Sequence, residues 1–281
     1  MNRRRCIGID VTSAVTQGGG IGRYTRELVA ALAEVDSQTQ YRLFSAKWPA
    51  KIPVPNPLPK QPNMTQTPAP LDERWLYRLW YRLRLPLPVQ WQTGQLDLFH
   101  SPDFVLPPVS GNIPTLLTVH DLSFVHFPDS YPQKLVAYLN RVVPWSIGRA
   151  SHILADSEAT KDDLMSMWQI TAEKVTVLYS GVHGRFAEVT DEARITAVSH
   201  KYNVGKAPYL LTVGTVQPRK NYQRLIQAFA PVAQQFPHNL IIAGGKGWRF
   251  DEMLAEVAKQ GLEGRVRFIG FVDDADLPAL Y

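Results

Sequence analysis

The sequence is poor in the features that mark several common protein classes. It holds one cysteine, Cys6, in 281 residues. A single thiol excludes an internal disulfide and gives no basis for a cysteine metal site, in keeping with a reducing compartment. Lying in an apolar stretch, it reads as a small buried hydrophobe of the first strand. No apolar run approaches the roughly 20 residues that a membrane-spanning helix needs. Met1 to Arg5 leads straight into a strand, without the apolar core of a signal peptide. A cytoplasmic protein is therefore expected. Charge of one sign is only mildly in excess, 30 Lys and Arg against 25 Asp and Glu, for a net +5. That balance suits anionic ligands such as nucleotide phosphates or a phospholipid surface, and it is too mild to argue nucleic acid.

Two familiar glycine signatures are also missing. "GGGIGRYTRELVAAL", from Gly18, invites a nucleotide-loop reading, yet the dinucleotide pattern needs a glycine at the sixth place and Arg23 stands there. The phosphate loop of nucleotide triphosphatases needs Gly-Lys-Ser/Thr, and no such lysine follows. A dehydrogenase is disfavoured on that ground. What remains is a glycine cluster between a strand end and a helix start. It can let a backbone approach a ligand closely and can point N–H groups and a helix dipole at it, or it can serve as a flexible turn.

What is present is alternation. "CIGIDV" reads as a buried strand, and Ile21, Tyr24, Leu28, Leu32 and Val35 then recur at helical spacing. Further strands are expected at "YRLFS", "LDLFHS", "TLLTVH", "HILADS" and "KVTVLY", with helical patterns over Tyr131 to Arg149 and Glu158 to Trp168. A second run starts near Lys206, with strands "YLLTVGT", "NLIIAGG" and "VRFIGFV" separated by helices over Asn221 to Gln235 and Asp251 to Gln260. Strands and helices in turn predict doubly wound parallel sheets, whose ligands sit beyond the carboxyl ends of the strands. The polar segment Ser180 to Gly205 separates the runs, so the expected domains are residues 1–183 and 184–281, with a cleft between them. Pro49 to Pro70 is so rich in proline that a long surface loop is expected.

"DERWLYRLWYRLRLPLP" places Trp75, Leu76, Leu79, Trp80 and Leu83 on one helical face and Arg74, Arg78 and Arg82 on another. Such a helix can lie on an anionic membrane. It can equally pack into the core with its arginines solvated.

Candidate site residues follow from the strand ends. In "TVHDLSFVHFPDSY", His120 and Asp121 end an apolar strand at the expected ligand edge, where an imidazole can bond a substrate hydroxyl or move a proton, although a lone histidine can be structural. His126 is a weaker candidate nearby. In "VGTVQPRKNYQRLIQAF", Arg219 and Lys220 stand at a strand-to-helix turn, where a guanidinium fork and an ammonium can clamp a diphosphate or stay solvated. "AGGKGW" and "IGFVDD" end the last two strands and can frame a base. Asp273 and Asp274 read more readily as a helix opening than as a metal site.

In this order, with "FHSPDFVLP", "ILADSEATKDDL", "VLYSGV" and "VRFIGFVDDADLPALY" between and after them, the segments resemble the retaining nucleotide-sugar glycosyltransferases of family four, many of them mannosyltransferases. The resemblance runs along nearly the whole chain, and "GTVQPRKN" and "VHDLSFVHFP" are its most specific parts. It implies the GT-B architecture, two Rossmann-like domains, and a hexose transferred with retention from a nucleotide-diphosphate sugar to a glycan or lipid-linked acceptor, with no metal or other cofactor. The glycine loop, with Gly19 and Gly20, would face the donor diphosphate and the acceptor. His120 would lie beside the transferred sugar with Asp121 next to it, Arg219 and Lys220 on the donor phosphates, and Val272 beside the base. Peripheral contact with the inner face of a membrane is compatible with this reading. Members usually continue past "DDADLPALY" with another strand, a motif of two Glu separated by seven residues, and a returning helix. On that pattern the chain is expected to be a truncated or split member, weak in transfer by itself. The competing expectations are a non-catalytic nucleotide-sugar-binding chain or partner subunit, and a nucleotide-sugar epimerase of the same architecture.

Overall fold

A computed structural model describes residues 4–48 and 58–281. The chain divides into two compact units, Met1–Pro128 with Gln133–Gly181, and Asp129–Pro132 with Val182–Tyr281.

The first unit is built on a parallel sheet of seven strands: β1 (Cys6–Asp10), β2 (Gln40–Ser45), β3 (Met64–Pro68), β4 (Leu98–Ser101), β5 (Thr115–Val119), β6 (His152–Ala155) and β7 (Val175–Val177). Their spatial order is β3-β2-β1-β4-β5-β6-β7. From β1 the chain moves outward in one direction through β2 and β3, and then returns to lay β4 to β7 on the other side. The crevice beyond the ends of β1 and β4 is therefore the switch point where such sheets take their ligands. Phe99, Leu117, Val119 and Ile153 are fully buried along the middle strands, as expected of a sheet covered on both faces.

β3 corrects the expectation of a loop throughout the proline-rich stretch. Met64–Pro68 pairs in parallel with β2, Tyr41 opposite Met64 and Ser45 opposite Pro68. Proline is tolerated there because β3 is the outermost strand and Pro68 ends it. Residues 49–57 of that predicted loop lie outside the described residues. Cys6 opens β1 half-buried.

The arginine-rich helix also differs from its sequence reading. Residues Glu73–Tyr77 are α-helical, and Arg78–Arg82 widen to a π turn in which the Leu83 N–H donates to the Arg78 carbonyl at 2.9 Å. The change of pitch turns Tyr81 inward with Leu76 and Trp80, all three buried, and leaves Trp75 and Leu83 exposed beside the arginines.

The second unit carries a parallel sheet in the order β10-β9-β8, from β8 (Tyr209–Val213), β9 (Asn239–Ala243) and β10 (Val266–Gly270). Every residue of "NLIIA" in the central strand is buried. Leu240 and Ile242 pack with Tyr222, Ile226 and Phe229 of helix Tyr222–Gln235 and with Met253 and Val257 of helix Phe250–Lys259. Ile241 and Ala243 face the other way, against Val198 of helix Glu192–Lys201 and Leu277 and Leu280 of helix Leu277–Leu280. Side chains alternate across a strand, so four consecutive residues hold two cores. Each large aliphatic side chain there contributes roughly 1.5–3 kcal/mol.

Candidate active site

Four strands of the first unit deliver polar side chains to the same carboxyl edge. Asp10 ends β1, Asp103 follows β4, His120 follows β5, and Asp156 follows β6. Sheet order makes neighbours of the last three positions. His120 Nδ1 lies 2.7 Å from Asp156 Oδ2, and Nε2 lies 3.2 Å from the Pro102 carbonyl oxygen. Both partners only accept, so the ring donates to both at once only as an imidazolium. Burial works against that charge, but the bond to Asp156, the charge of Asp156 and the Pro102 carbonyl outweigh it and hold the His120 pKa above its ordinary 6.5. The imidazole is further boxed by the edges of Tyr24, at 4.9 Å between centroids, and Phe104, at 5.7 Å. Thr160 fixes its backbone by donating to the His120 carbonyl at 3.2 Å.

At the switch point itself, burial raises Asp10 from 3.8 to about 6, although the Thr12 N–H donates to its Oδ1 at 2.9 Å. Burial raises Asp103 as well, against the Phe104 N–H donated to it and the charge of His120. Carboxyl groups in this state can accept hydrogen bonds from ligand hydroxyls or exchange a proton near neutrality. Asp121 acts locally. Its Oδ1 accepts from the Ser123 N–H at 2.9 Å and from the Ser123 hydroxyl at 2.5 Å, at the start of the short helix Ser123–His126. His126 pairs instead with Asp163 at 2.8 Å on the surface.

The glycine loop separates into two kinds of residue. Gly18, Gly19 and Gly20 are exposed, and a Cβ on any of them would meet nothing within 4 Å. At Gly22 a Cβ would fall 2.2 Å from the Gln17 carbonyl oxygen and 2.7 Å from that of Ser13. Gly22 is thus required by the packing of helix Gly20–Val35 on helix Thr12–Thr16. The fold gives no such reason for Gly19 and Gly20, which stand at the N-terminus of the 16-residue helix.

In the second unit, Arg219 and Lys220 lie on a 3-10 turn, Pro218–Lys220, between β8 and helix Tyr222–Gln235. Asn221 closes the turn in the left-handed region, φ 56°. Tyr222, buried at the start of the helix, donates from its hydroxyl to the Gly214 carbonyl at 3.0 Å and ties the turn to the end of β8. Gly244, at the end of β9, sits so near that a Cβ would lie 2.0 Å from the Gly214 carbonyl oxygen. Lys220 is exposed and Arg219 half-buried, its guanidinium 5.9 Å from the centre of the Tyr131 ring. Tyr131 belongs to the four-residue segment that this unit takes in, and the Trp248 indole donates to Ser130 there at 2.9 Å. Val272 is a core side chain, packed with Val198 and Ile241. The Asp273 carbonyl accepts the Asp276 N–H at 2.9 Å and the Leu277 N–H at 3.2 Å in the turn that leads into helix Leu277–Leu280, while its carboxylate accepts from Lys201 Nζ at 2.7 Å. Among the described residues no group of three or more His, Cys, Asp and Glu is placed to hold a metal ion.

The first-unit site therefore has members that sequence reasoning missed: Asp10, Asp103, Asp156 and Tyr24. The three aspartates carry a signal like the one that singled out His120, a polar residue at or within two residues of the end of a strand, in "GID", "SPD" and "LAD".

Two Rossmann-like units with ligand edges of this kind define the GT-B class of fold. Solved structures agree: Anabaena Alr3699/HepE, crystallised with UDP and glucose, superposes with a TM-score of 0.62 over 99% of this chain and 71% of that one, at 18% identity. WaaG, a glycosyltransferase involved in lipopolysaccharide biosynthesis, does so at 0.66 over 98% and 72%, at 14% identity. The model of Glycosyltransferase Family 4 matches residues 18–184, and that of Glycosyl transferases group 1 matches residues 196–281. The O-antigen chain mannosyltransferase B of Escherichia coli is 30% identical over 270 residues, 93% of this chain and 70% of the relative. O-antigen chain mannosyltransferase RfbU of Salmonella typhimurium is 26% identical over 94% and 69%. The chain belongs to glycosyltransferase family 4, and its chemistry is glycosyl transfer.

Proposed function

We propose that the protein transfers a hexose, with mannose the first candidate, from a nucleotide-diphosphate sugar to a glycan or lipid-linked acceptor during cell-envelope polysaccharide synthesis in the cytoplasm. The observation that carries this is the 30% identity to an O-antigen mannosyltransferase along 93% of the chain. In this reading the second unit holds the donor and the first unit acts on the transferred sugar and the acceptor. Negative charge grows on the leaving nucleoside diphosphate as the glycosidic bond breaks. Arg219 and Lys220, fixed on a turn anchored by Tyr222, stabilise that charge more in the transition state than in the ground state. They supply what a divalent cation supplies elsewhere, and the reaction is assigned no metal. Gly19 and Gly20, for which the fold gives no packing reason, keep backbone N–H groups accessible to the donor phosphates or the acceptor. His120 donates to an oxygen of the transferred sugar from Nε2, whose N–H leaves the Pro102 carbonyl to do so, Asp121 shapes the turn beside it, and the backbone at Val272 borders the base. Retention is assigned to a front-face transfer, in which the acceptor enters on the side the diphosphate leaves.

A panel of nucleotide sugars tests the assignment. The true donor raises the melting temperature through binding to the native state alone, and nucleoside diphosphate is released only when acceptor is added. NMR of the product anomer reads the stereochemistry. Donor binding without any release of nucleoside diphosphate rejects the transferase reading in favour of a binding subunit, and an inverted product rejects front-face transfer.

A further inference from the structure

The loops that leave β8 and β9 are laced together beyond the sheet. The Gly214 N–H donates to the Ala243 carbonyl at 2.8 Å, the Val216 N–H to the Gly245 carbonyl at 2.9 Å, and the Gly247 N–H back to the Val216 carbonyl at 3.0 Å. At Gly247 a Cβ would lie 2.6 Å from the Val216 carbonyl oxygen and 3.0 Å from Gln217 Cβ, so the approach admits only glycine. Gln217 directly precedes the turn Pro218–Lys220, and Trp248 directly follows Gly247. The lacing therefore fixes where Trp248 leaves its loop relative to the turn that bears Arg219. Trp248 holds the segment Asp129–Pro132 in two ways. Its indole N–H donates to the Ser130 carbonyl at 2.9 Å, and its ring lies 5.9 Å from the Tyr131 ring, with the planes 35° apart. Tyr131 completes the circuit, its ring centre 5.9 Å from the Arg219 guanidinium carbon.

We propose that Tyr131, held by Trp248, is a positioning residue for the diphosphate clamp: its ring keeps the Arg219 guanidinium in the attitude that meets the donor phosphates. The inference rests on the assignment of Arg219 to the donor diphosphate. An arginine side chain has several rotatable bonds, and ordering them at the moment of binding weakens affinity. A guanidinium drawn to an aromatic face is ordered beforehand. A carboxylate would order it too, but would take up its N–H donors and cancel the charge that phosphate requires. The ring does neither, because the donor fork lies in the guanidinium plane and its edges stay open to phosphate oxygens. The turn and the left-handed Asn221 fix the arginine backbone, and Tyr131 acts on the side chain. The tyrosine comes from outside the continuous sequence of the second unit, Val182–Tyr281, since Pro128 and Gln133 on either side of its segment belong to the first.

Two measurements on the full chain test this. The first is calorimetry with UDP and with GDP, the tighter of the two being carried through the variants. R219A is expected to weaken binding by about ten- to a hundredfold. Y131L is expected to weaken it by about three- to tenfold, W248L to do the same by releasing Tyr131, and Y131F to keep native affinity because the ring remains. In the R219A background Y131L should cost nothing further, whereas in the K220A background it should cost its full amount. A loss from Y131L that persists without Arg219 overturns the proposal, since the tyrosine would then act on the ligand or on the fold at large. A loss in R219A with none in Y131L overturns it and leaves the donor assignment standing. No loss in R219A, or a native chain that binds neither nucleotide, overturns both. The second measurement needs no ligand and so is independent of the donor assignment. The Arg219 Nε–H resonance in NMR is expected to be displaced by the Tyr131 ring current, and to return toward the ordinary arginine position in Y131L and in W248L. A resonance that neither variant moves overturns the positioning role.

Discussion

Asp156 accepts a hydrogen bond from His120 Nδ1 at 2.7 Å, across the adjacent ends of β6 and β5. The imidazole is only 11% exposed, so without the Asp156 charge the cost of burying an imidazolium is opposed only by the Pro102 carbonyl and the charge of Asp103. Asp156→Asn keeps the shape of the partner and removes the charge. The His120 pKa, now above 6.5, is expected to fall below it. A pKa raised in the folded state contributes stability that is complete below the unfolded value and is lost as pH rises through the folded one. The native chain should therefore lose stability relative to Asp156→Asn as pH rises from 6.5 through the raised His120 value, in step with the His120 titration followed by NMR. An unchanged titration would show that Asp156 does not govern the charge of His120.

Gly22 and Gly19 are close in sequence and opposite in constraint. Gly22→Ala drives a methyl into two backbone carbonyls that cannot swing away, and about 2–3 kcal/mol of stability is expected to be lost in chemical denaturation. Gly19→Ala enters open space and is expected to change stability by less than about 0.5 kcal/mol. If the loop serves donor or acceptor, it is Gly19→Ala that should weaken substrate binding in a folded protein.

Arg219→Ala and Lys220→Ala are each expected to cost about 1.5–3 kcal/mol of nucleoside diphosphate affinity in calorimetry. Arg219→Lys should recover only part of the loss, because the planar fork is gone while the charge remains. Unchanged affinity in both alanine variants would move the diphosphate away from this turn.

Asp10 tests the buried carboxyl edge through pH. Its folded pKa is raised to about 6 from 3.8. Its contribution is thus complete below about pH 3.8 and lost by pH 6, so at neutral pH the chain carries the cost of an ionised buried group. Asp10→Asn, which can still accept from the Thr12 N–H, is expected to stabilise the protein at pH 8 by up to about 3 kcal/mol and to do little at pH 4. Equal effects at both pH values would mean that Asp10 titrates normally.

The alternation of strands and helices was legible because each strand is a short apolar run and each long helix an apolar stripe. "NLIIA" is buried on both faces, and after Asn239 the sequence shows it as an unbroken apolar run. β3 was hidden, since proline marks loops everywhere except at the margin of a sheet. Helix Glu192–Lys201 lay in a stretch read only as a polar junction; its cap, Asp191 accepting the Ala193 N–H at 3.0 Å, is the sign that was available there. His120 could be singled out, but its partnership with Asp156 could not. That pair, 36 residues apart, depends on β5 and β6 lying side by side, and strand order is not written in local spacing. Buried Tyr81 and exposed Leu83 were not foreseen, because the π turn over Arg78–Arg82 alters the period on which the projection rests.

The outermost strands of the seven-stranded sheet have a further use. β3 is five residues long, polar through Thr65, Gln66 and Thr67, and closed by Pro68; β7 has three residues. Unpaired backbone at a sheet margin is a template onto which a foreign strand can zip, and length, flatness and apolar side chains make it a good one. A chain with ten parallel strands among its described residues is exposed to such mispairing while it folds. The stub of β7 and the proline that terminates β3 shorten both templates, so the margins of the larger sheet are poor seeds for aggregation.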